Sequence, residues 1–307
     1  MRKIIITGGS GFLGTQITKQ LLEIGAYDIV IMDIVPPKIK HQKITFFKKN
    51  LLEPFNKHGD FELLEKPYAV IHLSGKSIYG RFTEEHKKLI RDTRVNGTKN
   101  LVDLLSRDDY KPQSLIAASA VGYYGNQPGE ILVESSAREN YYFLSDVVEA
   151  WEDENLKLQE KGVNVTCIRN GHIIGQGGIL AEVASTFKLG FGGILGNGHE
   201  YFPWIDIRDL VNLYITCLDE NIPPIINGVS TSSNTQRDFA QSIGGVKKPL
   251  FYVHVREWML RIKFGDFAQE MLVDQHIQSE EYTAISFTPK HDTLDQTVHH
   301  YLTLNNK

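Results

Sequence analysis

The sequence predicts an α/β fold, a doubly wound parallel sheet with helices on both faces and a smaller C-terminal lobe. Three observations predict it. Short apolar runs alternate with segments whose apolar residues recur three and four positions apart, the alternation that strand–helix–strand units require. The first 33 residues read as strand, glycine-rich turn, helix and strand. Beyond residue 170 this pattern gives way to a tract, 171–198, with nine glycines, which must contain tight turns.

Strands are expected at 3–7, 29–33, 44–47, 69–73, 114–119 and 163–169. They are mostly continuous apolar runs, as strands covered on both faces are. Helices are expected at 12–24, 83–105 and 142–161, each with an apolar stripe. Helical periodicity returns at 255–274 through Trp258, Met259, Ile262, Phe267, Met271 and Leu272, and a last helix is expected at 293–302. The core therefore spans 1–170 and interleaves with parts of 200–230. The smaller lobe is expected to span 171–307.

Bulk properties exclude several classes. A chain of 307 residues, 41% hydrophobic and 23% charged, can bury a substantial core and is neither disordered nor fibrous. A net charge of −4 without long like-charge runs leaves no footprint for nucleic acid, so a small-molecule substrate is expected. Cys167 and Cys217 stand alone in apolar stretches, and neither they nor the histidines show metal-ligand spacing, so no metal is expected. The first apolar run is too short for a signal peptide or a membrane span, which predicts a cytoplasmic protein with no membrane partner. Arg256, Arg261, Lys263, Asp266 and Glu270 give the aromatic segment 253–271 a solvated outer face.

The chemistry starts at Thr7-Gly8-Gly9-Ser10-Gly11-Phe12-Leu13-Gly14. Gly8, Gly11 and Gly14 are spaced GxxGxxG between a strand and a helix, where a pyrophosphate must approach backbone N–H groups and the positive end of a helix dipole. This is the Rossmann arrangement for a dinucleotide, with Gly8, Ser10, Gly11, Phe12, Leu13 and Gly14 as its contacts. Asp33 ends the second strand about twenty residues on, placed to accept hydrogen bonds from the adenosine ribose. No Arg follows closely to meet a 2′-phosphate, so the cofactor is expected to be NAD(P) with NAD favoured over NADP. The alternative is that Asp33 only caps the loop.

Further motifs are His72-Leu73-Ser74-Gly75, Arg81-Phe82-Thr83-Glu84-Glu85, Thr93-Arg94-Val95-Asn96-Gly97-Thr98 and Ser119-Ala120-Val121-Gly122-Tyr123-Tyr124-Gly125. Trp151-Glu152, Arg169-Asn170-Gly171, Gly192-Gly193-Ile194-Leu195-Gly196, Trp204-Ile205-Asp206-Ile207 and Phe267-Ala268-Gln269-Glu270-Met271-Leu272 follow. With these the chain resembles, nearly end to end, the extended short-chain dehydrogenases/reductases, and among them the atypical epimerase family proteins. The resemblance implies that Leu73, Ser74 and Gly75 line the cofactor, that Asn96 supports the middle of the sheet and that Ser119 faces the nicotinamide. It also implies a C-terminal domain of unassigned role over about 248–307; dimers through the two long helices are common in the wider superfamily, so a homodimer is open, though nothing in these residues requires one. Arg94 is counted with the cofactor contacts, and both it and Arg169 suit an anionic substrate group.

The departure is catalytic. Such enzymes use a Tyr four residues before a Lys, because the ammonium lowers a phenol pKa of about 10 and holds the nicotinamide ribose. No Tyr-x-x-x-Lys exists in this chain: Tyr141 is followed by Ser145, and Tyr142 by Asp146. Ser119, Tyr124 and Glu149 are the candidate catalytic residues, Glu149 as a carboxylate base. His72 reads as a structural histidine, and Trp204 as either a stacking platform or an anchor. The expected function is an NAD(P)-dependent oxidoreductase or sugar-nucleotide epimerase-like protein; the alternative is a non-catalytic NAD(P)H-binding redox sensor.

Overall fold

The computed structural model describes residues 1–56, 61–139, 142–187, 190–218 and 222–304. Its first half runs β1 (Arg2–Thr7), α1 (Phe12–Ile24), β2 (Tyr27–Asp33), β3 (Ile44–Lys48), β4 (Ala69–His72), α2 (Glu84–Leu105), β5 (Ser114–Ala120), β6 (Ile131–Leu132), α3 (Phe143–Leu156) and β7 (Asn164–Asn170). Then follow β8 (His172–Ile174), α4 (Gly178–Thr186), β9 (Phe191–Leu195), β10 (Trp204–Asp206), α5 (Ile207–Thr216), β11 (Ile225–Gly228) and α6 (Gln236–Lys247). The chain ends with β12 (Phe251–Val255), α7 (Glu257–Phe264), α8 (Phe267–Glu270), β13 (His276–Ile277) and α9 (Leu294–Leu304).

Seven parallel strands form one sheet in the order β11-β7-β5-β4-β1-β2-β3. Successive residues of each strand serve opposite faces. Ile4, Ile6, Ile29 and Ile31 pack with Leu13 and Ile17 of α1 and Leu210 of α5. Ile5, Val30, Met32 and Val70 pack with Leu101, Val102 and Leu105 of α2 on the other face. The strand order reverses beside β1, so the chain leaves β1 and β4 toward opposite faces, to α1 and α2, and the crevice where ligands bind in such sheets lies between the two connections. β11 belongs to residues beyond 170 yet closes one edge of the main sheet, because β7 would otherwise expose its outer backbone edge.

Element ends differ from the sequence reading for local reasons. Thr83 caps α2 rather than joining it, its side chain accepting from the His86 N–H. The helix expected to reach 161 ends as α3 at Leu156 and tightens into a 3-10 turn closed by Gly162 at φ +76°. The 255–274 helix breaks at Gly265, whose left-handed backbone separates α7 from α8. Both pack on the start of α2 and α3: Phe82 stacks on Phe267 at 4.6 Å, and Leu260 and Phe264 join Ile90 and Val147. Asn96 sits exposed on α2, bonded to Asp92, rather than beneath the sheet.

Candidate functional site: the carboxyl edge of the sheet

The glycine turn is shaped by the backbone it must clear. Gly8 has φ +67°, and a Cβ there would lie 3.0 Å from the carbonyl carbon and oxygen of Leu73. A Cβ on Gly14 would lie 2.6 Å from Gly9 Cα and 2.7 Å from Gly8 O, so the loop can fold onto its helix only without it. Gly11 is the N-cap of α1, with no side-chain cap bond and no acid in the first turn. The N–H groups of that turn, Phe12 and Leu13 among them, therefore face outward beside the helix's positive end. Asp33 braces the turn: Oδ2 accepts from the Ser10 N–H at 3.0 Å and Oδ1 from the Ile34 N–H at 2.7 Å.

The adjoining wall is the segment after β4. The Leu73 N–H donates to Thr7 O at 3.0 Å, which ties the ends of β1 and β4 together. Gly75 faces Arg94 of α2, whose guanidinium would stand 3.2 Å from a Cβ there. His72, by contrast, is buried between Thr7 Oγ1 at 2.6 Å and Thr98 Oγ1 at 2.8 Å. Burial lowers its pKa to about 3, so it is a neutral structural histidine.

At the ends of β5 and β7 lies a buried ion network. Glu152 of α3 receives the Ser119 hydroxyl at 2.5 Å and both Nε and Nη2 of Arg169, at 2.9 and 2.8 Å. Arg169 Nη1 donates to the Tyr124 hydroxyl oxygen at 2.9 Å, and its guanidinium covers the Tyr123 ring at 3.4 Å from the centroid. The Tyr124 hydroxyl donates onward to Asn227 Oδ1 at 2.7 Å. Burial by itself would lower the Arg169 pKa, but the Glu152 carboxylate more than reverses that and holds it above its ordinary value. Burial pushes Tyr124 up to about 12, so it stays a phenol at neutral pH.

The sequence-selected residues thus fall into separate groups. Gly8 to Gly14, Asp33 and Leu73 to Gly75 meet at one crevice, with Arg94 beside them. Ser119 and Tyr124 come together, but both are buried and engaged in the Glu152–Arg169 network. Glu149 lies on the outward side of α3, 42% exposed and 2.7 Å from Arg138 Nη2. Tyr142 is pushed above its ordinary pKa by burial and then by Glu139, Glu270 and Glu257, and Tyr141 lies outside the described residues. Trp204 is a buried anchor donating to Asn234 Oδ1 at 2.9 Å. Among the described residues no group of three potential metal ligands converges, and no helix is long and apolar enough to cross a membrane.

Two residues escaped the sequence reading. Glu152 carried a signal, since it shares the apolar face of α3 with Val147, Val148 and Trp151, and a carboxylate there requires a partner. Glu270, which the sequence reading places on a solvated outer face, is instead half-buried. It reaches from α8 to cap α3, accepting from the Leu144 N–H at 3.0 Å. Burial raises its pKa to about 7 despite the N–H groups of Leu144 and Phe143; Asp146 adds to the rise and Lys87 opposes it. A carboxyl whose folded pKa exceeds its unfolded value contributes stability at low pH that is lost as pH rises through the folded value. Between pH 5 and 8 the protein should therefore lose stability through this group, by on the order of 1 kcal/mol after allowing for partial exposure. Glu270→Gln keeps the acceptor and removes the ionisation, so urea unfolding should show a shallower pH slope in the variant; equal slopes would refute the assignment.

The fold and the glycine crevice define a dinucleotide-binding α/β protein. The model of the NAD-dependent epimerase/dehydratase family matches residues 4–227, and the chain belongs to that family. It is 28% identical over 296 residues to an epimerase family protein of Staphylococcus haemolyticus, covering 96% of this chain and 97% of that one. It is 30% identical over 279 residues to the chloroplastic SDR39U1 homologue of Arabidopsis thaliana, covering 89% and 79%. Among solved structures, human SDR39U1 with NADPH superposes with a TM-score of 0.80 at 22% identity, covering 97% and 98%. MoeE5 in complex with UDP-glucuronic acid and NAD gives 0.79 at 15%, covering 99% of each chain.

Proposed function

We propose that the chain is an NAD(P)-dependent oxidoreductase or epimerase-like enzyme that works without a tyrosinate. The observation that carries this is the uncapped start of α1, held against the end of β4 by a turn in which Gly8 and Gly14 leave no room for Cβ atoms. That cradle fits a pyrophosphate. Asp33 would take the adenosine ribose, the exposed Ile34 and Val35 beside it would take the adenine, and Leu73, Ser74 and Gly75 would floor the rest. When bound, the nicotinamide supplies or accepts a hydride.

Asp33 favours NAD, because a 2′-phosphate would approach its carboxylate. Against this stands the human relative, which was solved with NADPH. The sugar nucleotides bound by solved neighbours make that substrate class the first to test. Ser119 and Tyr124 serve as positioning residues, since each hydroxyl is already committed within the buried network. Glu149 is the carboxylate of the three with solvent access, although Arg138 holds it.

A second reading, a redox-sensing module, is favoured by that same commitment of Ser119 and Tyr124. Titrating the protein with NADH and NADPH, followed by a turnover panel of carbonyl compounds and sugar nucleotides, separates the two. The enzyme reading expects hydride transfer to a panel member. Cofactor binding without any turnover would leave the sensor. Asp33→Ala should weaken NADH binding about tenfold and NADPH binding less, a difference of about 1.4 kcal/mol; equal losses would remove the ribose assignment.

A further inference from the structure

Two arginines reach the carboxyl edge of the sheet, and the structure treats their charges differently. Arg169 is neutralised by a two-pronged bond to Glu152. Arg94 donates to two carbonyl oxygens, Lys76 O at 2.8 Å and Ile90 O at 3.4 Å, and lies over the Trp151 ring at 5.1 Å. Among the described residues no carboxylate forms an ion pair with it. Lys76, exposed beside it, also has no ion-pair partner among them. Burial lowers the Arg94 pKa to about 10 with no acid to oppose the shift, which still leaves it charged at neutral pH.

Arg94 is half-buried, and a guanidinium held partly out of water without a counter-charge is suited to an anion that arrives from outside. Its place in the fold says which part of a complex that anion belongs to. The diphosphate cradle is Gly8 to Gly14, which touches Leu73 and Ser74; Arg94 touches the next residue, Gly75. From there it faces Trp151 of α3, which packs against β5 and β7, so Arg94 is displaced from the diphosphate toward β5. In a doubly wound sheet that is the nicotinamide end of the crevice, where the cofactor carries no anionic group.

We infer that Arg94, flanked by Lys76, receives an anionic group of the substrate, a carboxylate or a phosphate, beside the nicotinamide half of the crevice. This rests on the cofactor reading above and names what that site would accept.

The test compares wild type, Arg94→Met and Arg94→Lys by thermal unfolding in chloride and in rising inorganic phosphate or acetate at constant ionic strength. Each series is run with and without saturating NADPH, which fills the competing diphosphate cradle. In chloride Arg94→Met should melt at or above wild type, since an uncompensated charge has been removed. One of the two anions should raise the wild-type midpoint saturably by about 2 °C or more, Arg94→Lys should keep a smaller response, and Arg94→Met should show none. NADPH affinity should stay within about threefold in Arg94→Met, less than the tenfold that 1.4 kcal/mol represents.

A lower midpoint for Arg94→Met with no anion response in wild type would make Arg94 a structural residue and overturn the inference. A tenfold or larger loss of NADPH affinity would mean that the charge serves the cofactor, which also overturns it. If wild type binds neither NADH nor NADPH, the cofactor reading fails instead. The Arg94-dependent anion response remains readable in that case, because the cofactor-free series supplies it.

Discussion

Replacing Glu152 with alanine should destabilise the protein by about 3–5 kcal/mol, the cost of leaving a buried charge without its partner. The side chains of Glu152 and Arg169 are 5% and 4% exposed, so water cannot take over when the carboxylate is removed. The loss would spread, because Ser119 gives up its acceptor and Arg169 its orientation toward Tyr124. Urea unfolding provides the measurement, and a change below about 1 kcal/mol would place this pair among weak surface bridges instead. Replacing both residues with apolar ones of similar volume, as in Glu152→Leu with Arg169→Met, should cost clearly less than Glu152→Ala alone. Arg169→Met alone should resemble Glu152→Ala.

Gly14→Ala should reduce NADH and NADPH affinity by tenfold or more, about 1.4 kcal/mol or greater. The added Cβ would stand 2.6 Å from Gly9 Cα and 2.7 Å from Gly8 O. Both obstacles are backbone, so relief requires the turn to move away from α1 and to take its outward N–H groups with it. Fluorescence titration of the reduced cofactors reads the effect directly. Gly129→Ala is the matching control: nothing lies within 4 Å of its Cβ position, so any cost comes from its φ of +84° and should appear in stability without selective loss of cofactor. Unchanged cofactor affinity in Gly14→Ala would remove the crevice from the functional reading.

Much of the core was legible in the sequence. The runs that became β1, β2, β4, β5 and β7 announce themselves because strands covered on both faces need little but apolar residues. The turn at Gly8 to Gly14 was legible because the glycine spacing itself is local, as is the constraint at Gly14 against Gly8 and Gly9, whereas the one at Gly8 comes from Leu73 on a distant segment. Boundaries were less so. The break at Gly265 lies within a continuing apolar periodicity, and the packing of α7 and α8 against Phe82 and Val147 decides it.

The catalytic side was legible mainly as an absence, the missing Tyr-x-x-x-Lys. Ser119 and Tyr124 stand where a ligand-facing role would be read from sequence, yet each hydroxyl turns inward to a partner far along the chain, Glu152 and Asn227. Arg94 and Arg169 are equally polar as letters. One has a carboxylate within reach and the other has carbonyl oxygens and an indole face.

The sequence by itself therefore determined the types of β1–β5, β7, α1–α3 and α9, the glycine spacing of the cradle and the lack of a tyrosinate pair, since each depends on residue identity at short spacing. Only the tertiary structure decided which charges are neutralised, that Glu270 of α8 caps α3, and that the part of 200–230 joining the core does so as β11 paired in parallel with β7. Burial and partnership set the free energy of a charge, and both arise when segments remote in the chain are brought into contact.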